Sequence, residues 1–334
     1  MNQTVENLRK TVLPLLAAFL WGVAFVAQKT NTMGAFAFNF SRSAVAFLFL
    51  LPVILVFTRD PKHLLSAETK QGTKTLWLGG ICCGGILTLS TSLQQLGMNA
   101  GTEAGKASFL TAMYVVLVPA LGLFFKKKVP VHIWLSVALA LAGLYFLCVK
   151  VGFSVAPSDL IVASCAFVFS VHILAVDYFS TRCNCLKLSC IQFLTMTVLS
   201  GILTLLFDEF SLASVGENLS AVLYLGICSS GIAYTLQIVS QRGANPTVLS
   251  LLLSCESVFG VLAGALVLQE VLTPREYVGC ALMMLAVVLS QLPVDRWLAA
   301  KRQKRKKHAD CAVPSPAGQT PDESAEMIPE RKQR

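Results

Sequence analysis

Charged residues are scarce in this 334-residue chain, at 13% of the composition, whereas hydrophobic residues make up 55%. Soluble globular proteins carry about 25% charged residues, so the composition argues against that class. Long apolar stretches recur along most of the chain instead. This combination indicates an integral membrane protein.

Three motifs of nucleotide binding and hydrolysis are missing from the chain: GxxxxGK[ST], GxSxG and HExxH. ATP hydrolysis by this chain, and hydrolysis by the serine and zinc mechanisms of the other two motifs, therefore have no support. Glu256 and His172 could serve an intramembrane enzyme, but they lie on unrelated apolar segments. We predict that the chain is not an enzyme.

The eleven cysteines do not form a recognisable metal-binding pattern. Most of them stand singly in apolar segments, where cysteine behaves as a small apolar residue. Cys183 and Cys185, with Cys190 nearby, lack a second ligand pair at zinc-site spacing. We predict reduced thiols, no metal and no cofactor.

Ten apolar segments approach or exceed the roughly 20 residues that a helix needs to cross a bilayer. The first follows Arg9 and Lys10 without a convincing cleavage site, so we interpret it as a retained span rather than a signal peptide. The predicted fold is an all-α integral membrane protein with ten transmembrane helices. The predicted spans are residues 12–27, 35–57, 75–97, 107–125, 133–149, 159–176, 188–207, 220–239, 246–268 and 276–294.

The distribution of basic residues predicts the orientation of these spans. With a cytoplasmic N-terminus, the Lys126–Lys128 cluster and most other loop lysines and arginines lie inside, as the positive-inside rule requires. The external loops then carry mainly acidic residues, among them Asp159 and Asp208. We predict a multi-pass protein of the cytoplasmic membrane with both termini in the cytoplasm.

The segment after the last span differs in composition from the rest of the chain. Residues 296–307 are basic, and we expect them to lie on the anionic lipids of the cytoplasmic leaflet rather than on nucleic acid. Residues 308–334 lack apolar periodicity, and we expect them to be disordered. The net charge of +9 owes much to this tail and to the cytoplasmic loops.

The chain repeats itself weakly. Residues 92–122 resemble residues 235–264 through a Leu-Gln pair, a helix end, a turn with glycine or asparagine, and a further apolar helix. Because each half contains five spans, the second half must enter the membrane in the opposite sense. We therefore predict two inverted five-helix repeats, residues 1–150 and 151–295, followed by a tail of residues 296–334.

Several ordered segments resemble a known family. They are WGVAFVAQK at 21–29, NFSRSAVAFLFLLP at 39–52, CESVFG at 255–260 and QEVLTPREYVG at 269–279. On these segments the chain is similar to the EamA-like ten-helix group of the drug/metabolite transporter superfamily, over approximately residues 11–293. This resemblance implies a basket of two inverted repeats around a central cavity lined by the first, third, fourth, sixth, eighth and ninth spans.

The resemblance also implies a function. We expect a secondary transporter that moves a small-molecule substrate across the membrane by alternating access. Amino acids or related metabolites, exported from the cell, are the favoured substrates. The alternatives are an uptake permease for a nucleoside, a cofactor precursor or a sugar phosphate, and a non-transporting membrane sensor or scaffold. The sequence carries no prediction of an oligomeric state.

Two charged residues lie within predicted spans, where an ionised side chain costs about 2.5–3.5 kcal/mol on insertion scales. Glu256 shares a helical stripe with Gly260 and Gly264, which indicates a face packed against protein. It is either a titratable or cation-binding group of the cavity, or a structural carboxylate bound by a hydroxyl or by a basic side chain such as Arg42. Arg42 in turn is either paired structurally or contacts a substrate anion.

Polar and aromatic side chains on the same spans are the candidate substrate contacts. Each could instead form an interhelical hydrogen bond or lie at the membrane interface, but as a set they favour a mixed polar and aromatic cavity. The candidates are Trp21, Gln94, Gln95, Tyr114, Tyr234, Gln237, Ser254, Glu256 and Ser257.

Overall fold

A computed structural model of the chain describes residues 3–29, 31–58, 69–124, 129–148, 156–267 and 273–292. These residues form helices joined by short turns, with no strand among them. The prediction of an all-α membrane protein is confirmed. The predicted lipid-binding segment 296–307 and the predicted disordered segment 308–334 lie outside the described residues.

Fourteen α-helices and one π-helix make up the described chain. In chain order they are α1 (Gln3–Lys29), α2 (Ala35–Thr58), α3 (Lys70–Asn99), α4 (Ala104–Ala112), α5 (Tyr114–Phe124), α6 (Val131–Cys148), α7 (Pro157–Ser180), α8 (Cys185–Phe207), α9 (Leu212–Glu217), α10 (Leu219–Leu223), the π-helix (Tyr224–Tyr234), α11 (Thr235–Gln241), α12 (Pro246–Leu253), α13 (Glu256–Val267) and α14 (Pro274–Gln291).

Helix starts coincide with capping residues in the sequence. The Asn184 side chain accepts hydrogen bonds from two backbone N–H groups of α8, and Asn245 accepts one from Thr247 ahead of α12. Thr273 and Glu276 form a reciprocal capping box at α14. Such caps satisfy backbone donors that have no partner inside the helix. The apolar segments between them are therefore free to continue as helices.

Seven described helices or helix pairs are long and apolar enough to cross a membrane. They are Ala35–Phe57, Lys70–Asn99, Lys106–Phe124, Pro157–Ser180, Cys185–Phe207, Leu219–Gln241 and Pro246–Leu266. Val131–Leu147 is a shorter apolar helix, and α1 and α14 cover the two remaining predicted spans. The count of ten spans therefore stays a prediction, although a helix occupies each predicted position.

Helix packing follows the same pattern in both halves of the chain. In the two predicted repeats, α6 corresponds to α14, α2 to α8 and α1 to α7; we call such helices counterparts. α6 packs against α14, and α2 against α8, so each of these helices contacts its own counterpart. α1 packs against the π-helix and α11, and its counterpart α7 packs against α3. α1 also packs against α12 and α13, and α7 against α4 and α5. Exchanging each helix with its counterpart thus reproduces these contacts.

The two corresponding turns each contain a glycine with a positive φ angle. Gly101 follows α3 with a φ of 108°, and Gly243 follows α11 with a φ of 72°. Such backbone angles are accessible to glycine at little cost but disfavoured for other residues. These are the turns that the weak sequence repeat aligns, so the two halves end their third spans alike.

Close contact between α1 and α13 depends on glycine. A Cβ atom added to Gly22 would lie 2.6 Å from the Phe259 Cβ and 2.8 Å from the Glu256 carbonyl oxygen. Gly260 faces the same contact from α13. Gly260 of the predicted stripe thus packs against α1, which lies beside Glu256.

We expect Gly22→Ala to destabilise the protein by about 1–3 kcal/mol, since the added methyl group would have to push backbone atoms of α13 away. Thermal unfolding in detergent measures this loss. Gly216→Ala is the matched control, because a Cβ atom at Gly216 meets no atom within 4 Å. Equal unfolding temperatures for the two variants would contradict the close contact.

Candidate functional site

Two helices are interrupted at corresponding places, and the interruptions face each other. The fourth span breaks at Met113 between α4 and α5, and the ninth breaks around Ser254 between α12 and α13. Tyr114 and Glu256 are the first residues of the helices that follow. The Tyr114 hydroxyl donates to Glu256 Oε1 over 3.1 Å. Backbone hydrogen bonds continue across both breaks, from Val116 N–H to the Met113 carbonyl oxygen and from Ser257 N–H to the Ser254 carbonyl oxygen. Broken helices near the membrane midplane line substrate and ion sites in many transporters.

The π-helix brings a third irregular segment to the same place. It spans Tyr224–Tyr234 and presents Ser229 and Tyr234 to the space beside Glu256. The Trp21 indole N–H donates to the Ser229 carbonyl oxygen over 3.1 Å, which ties α1 to the π-helix. π-helical turns are rare and occur frequently at functional sites.

A cavity lies between these segments, with about 570 Å³ of space between the protein atoms when its open side is included. Its lining combines aromatic, polar and charged side chains. The lining residues are Trp21, Ala24, Phe25, Gln28, Arg42, Gln94, Thr111, Tyr114, Phe169, His172, Ile173, Ser229, Tyr234, Gln237, Leu253 and Glu256.

The two charged residues of the cavity are both buried, with Arg42 4% and Glu256 5% exposed. Among the residues that the structure describes, the two form no ion pair with each other. The Arg42 Nε atom is buried without a hydrogen-bond partner. Of the two partners considered for a structural Glu256, a hydroxyl or a basic side chain, the structure shows a hydroxyl, that of Tyr114. A pairing of Glu256 with Arg42 is not observed among the described residues. The cavity therefore contains one basic and one acidic side chain.

Aromatic rings form a cluster centred on Tyr234. The ring centroids of Trp21 and Tyr234 are 4.7 Å apart, and those of His172 and Tyr234 are 6.1 Å apart in an edge-to-face arrangement. Phe193 packs against the same ring from outside the cavity. Packed aromatic rings lose little conformational freedom, so they present a rigid apolar surface to a solute.

Seven of the ten predicted charged, polar and aromatic candidates line the cavity: Trp21, Arg42, Gln94, Tyr114, Tyr234, Gln237 and Glu256. Gln94 and Gln237 belong to the Leu-Gln pairs that the weak sequence repeat aligns, so equivalent positions of the two halves meet there. Their contribution to substrate binding stays a prediction.

The other three candidates lie outside the lining. Gln95 donates to the Asn99 side chain over 2.9 Å, and Ser254 donates to the Leu251 carbonyl oxygen. Ser257 shares a 2.8 Å hydrogen bond with Ser108 of α4 and joins the two interrupted helices. All three are buried. Of their three hydrogen bonds, that of Ser257 joins two helices, whereas those of Gln95 and Ser254 stay within their own helix.

Four further polar residues line the cavity although they were not among the candidates: Gln28, Thr111, His172 and Ser229. Gln28 lies in the last turn of α1, where it was indistinguishable from an interfacial residue. His172 is completely buried. Phe169, His172 and Ile173 recur at spacings of three and one on α7, so a helical projection could have placed His172 on an inward face.

Comparison with known proteins decides the family. The model of the EamA-like transporter family matches residues 10–149 and again residues 156–292. The chain belongs to the EamA-like transporter family. The first match ends before residue 150 and the second begins at residue 156, so each covers one half of the chain.

Relatives of this EamA-like transporter agree with the assignment. The chain is 31% identical over 286 residues to a protein of Archaeoglobus fulgidus described as an uncharacterized transporter, with 84% of each chain covered. A solved crystal structure superposes with a TM-score of 0.71 and 20% identity, and the match covers 86% of this chain and 98% of that one. This second likeness shows the fold alone. The protein is thus a multi-pass membrane transporter.

One glutamine pair tests the cavity directly. We expect Gln94→Leu to raise the substrate concentration needed for half-maximal flux by up to about tenfold, since Gln94 lines the cavity and donates to Thr111 over 3.0 Å. Gln95→Leu is the matched control, because the Gln95 side chain is buried like that of Gln94 but lies outside the lining. Flux kinetics in proteoliposomes measure the difference. A larger effect at Gln95 would contradict the cavity assignment.

Proposed function

We propose that this EamA-like transporter is a secondary transporter of amino acids or closely related zwitterions, which it exports across the cytoplasmic membrane by alternating access. The observation that carries the proposal is the presence of Arg42 and Glu256 in one cavity without an ion pair between them. We propose no catalytic residue for the chain.

A zwitterionic substrate satisfies both charges at once. A guanidinium group binds a carboxylate with two parallel hydrogen bonds, and a carboxylate group binds an ammonium group. A buried charge without a partner costs free energy. A ligand group of opposite charge removes this cost, which favours its binding. The α-carboxylate and α-ammonium groups of an amino acid carry this pair of charges.

The aromatic cluster supports the same substrate class. Trp21 and Tyr234 lie beside the charged residues in the lining, and aromatic faces attract cations. They also cover the aliphatic carbons of a small solute. An amino acid presents both an ammonium group and aliphatic carbons to such a surface.

A sugar phosphate fits the cavity less well. Arg42 is the one cationic side chain among the described lining residues, and Glu256 in the same lining would repel a phosphate dianion. Lys106 forms a 3.0 Å ion pair with Asp159 and lies outside the lining. These observations favour a substrate without net negative charge.

The repeated architecture supports alternating access. The matched helix contacts and the paired interruptions are consistent with two repeats, for which we retain the predicted boundaries 1–150 and 151–295. Rocking of such repeats about a central site exposes it to each side of the membrane in turn. Export, and a cytoplasmic location of both termini, rest on the family resemblance and on the distribution of basic residues.

The test of the proposal is counterflow in proteoliposomes with a panel of zwitterionic amino acids, nucleosides and sugar phosphates. We expect saturable flux for amino acids, and inside-out vesicles should accumulate them if the physiological direction is export. Protein-free liposomes provide the background. Selective flux of nucleosides or sugar phosphates, or no saturable flux at all, would overturn the proposal.

A further inference from the structure

The cavity lining contains buried polar atoms that no described protein group satisfies. His172 and Gln237 are 0% and 1% exposed, and both line the cavity. The His172 Nδ1 and Gln237 Oε1 atoms are buried without a hydrogen-bond partner. Buried polar atoms are nearly always hydrogen-bonded, so unpaired ones in a cavity wall indicate a ligand or bound water.

The environment of His172 determines what its free nitrogen can do. The His172 Nε2 atom lies 3.0 Å from Gln192 Oε1, in a side chain that is fully buried behind the cavity wall. An amide oxygen only accepts hydrogen bonds, so in this arrangement Nε2 carries the proton of the neutral ring. Nδ1 is then a hydrogen-bond acceptor. Gln192 acts as a positioning residue that orients the ring.

Gln237 extends the same polar surface. It follows Tyr234 by three residues, which places the two side chains on one side of the helix at the end of the π-helix. His172 packs edge-to-face against the same Tyr234 ring from α7. The two unpaired acceptors therefore flank one aromatic side chain, on elements other than the α2 and α13 helices that carry Arg42 and Glu256.

We propose that His172 and Gln237 form a subsite that accepts hydrogen bonds from an uncharged polar side chain of the substrate. The substrate class is then amino acids with a hydroxyl or carboxamide side chain. This inference rests on the proposed function, because Arg42 and Glu256 must first hold the α-carboxylate and α-ammonium groups. A substrate without a side-chain donor would leave both acceptors unpaired, which discriminates strongly between otherwise similar molecules.

Threonine and valine provide the test, since they have nearly the same shape and differ by one hydrogen-bond donor. We expect wild-type protein in proteoliposomes to transport threonine at least about tenfold more efficiently than valine, measured as the ratio of maximal rate to half-saturation concentration. This preference should fall towards one in Gln237→Leu and in the double variant His172→Phe/Gln192→Leu. The double variant keeps an aromatic ring beside Tyr234 and leaves no buried amide without its partner.

Gln241→Leu is the matched control. Gln241 lies one turn beyond Gln237 on α11, is fully buried and is outside the cavity lining, where its side chain donates to the Ile173 carbonyl oxygen. The threonine preference should survive this change. Thermal unfolding in detergent monitors the folding of every variant, and valine flux reports whether a variant still transports.

Each other outcome overturns the inference. Equal transport of threonine and valine by wild-type protein would mean that water satisfies the two acceptors, while the zwitterion proposal would stand. A threonine preference that persists in the subsite variants would place side-chain recognition elsewhere. Absence of flux for every amino acid would overturn both the proposed function and the subsite that depends on it.

Discussion

Arg42→Gln is expected to reduce amino-acid flux by roughly 10- to 100-fold without lowering the stability of the protein. The guanidinium group would lose a charge-assisted hydrogen bond to the substrate, which contributes about 1.5–3 kcal/mol. The empty protein loses no ion pair, because Arg42 forms none among the described residues. Removal of a buried unpaired charge should leave the unfolding temperature unchanged or raise it.

This pairing of effects separates the two interpretations of Arg42. A structural arginine would lose stability and flux together, whereas a substrate-binding arginine loses flux alone. Flux in proteoliposomes and thermal unfolding in detergent measure the two quantities on the same preparation. Arg182→Gln is the control, since Arg182 is exposed and lies 3.7 Å above the Tyr178 ring, away from the cavity.

Arg42→Lys refines the test. Lysine retains the charge but not the planar pair of donors that matches a carboxylate. We expect flux between those of the wild-type protein and the glutamine variant, with weaker discrimination against substrates that lack a carboxylate. Full activity of Arg42→Gln, at normal folding, would remove Arg42 from the site.

Glu256→Gln is expected to reduce flux by a similar factor and to abolish any response of flux to an imposed pH gradient. The amide oxygen can still accept the hydrogen bond of Tyr114, so the packing of the two interrupted helices is retained. The negative charge and the titratable proton are lost together. The loss of flux reports the contact with the substrate ammonium group, and the loss of the pH response reports proton coupling.

Tyr114→Phe is the matched control for Glu256. It removes the hydroxyl that contacts the carboxylate and keeps the aromatic surface of the cavity. We expect a loss of about twofold to tenfold, as for an ordinary hydrogen bond, with the pH response intact. If Glu256→Gln left both the rate and the pH response unchanged, Glu256 would be a structural carboxylate.

The predicted residues that do line the cavity are those whose type is unusual at their position in the sequence. Arg42 and Glu256 are costly in an apolar helix, and the Leu-Gln pairs repeat in both halves. Trp21 and Tyr234 are large amphipathic side chains on the same spans. Serine carries a weaker signal, because its hydroxyl can donate to a carbonyl oxygen of its own helix, as Ser254 does to Leu251.

Gln95 could not be placed from sequence for a geometric reason. Helical periodicity tells which residues share a face but not which neighbour that face contacts. Gln94 and Gln95 are adjacent and chemically identical, yet the rotation of α3 against its neighbours turns one into the cavity and the other towards Asn99. That rotation depends on contacts between helices, such as those of Gly79 with Phe179.

The sequence by itself determined the class of the protein, since its scarcity of charge and its apolar segments leave little besides a helical membrane bundle. It also marked the charges that such a bundle must bury. Only the tertiary structure decided that Tyr114 meets Glu256, that Arg42 lacks an ion pair, and that two interrupted helices and a π-helix enclose one cavity. Lipid is as apolar as the helix surfaces, so burial alone does not select helix partners, and close packing and hydrogen bonds between distant segments select them.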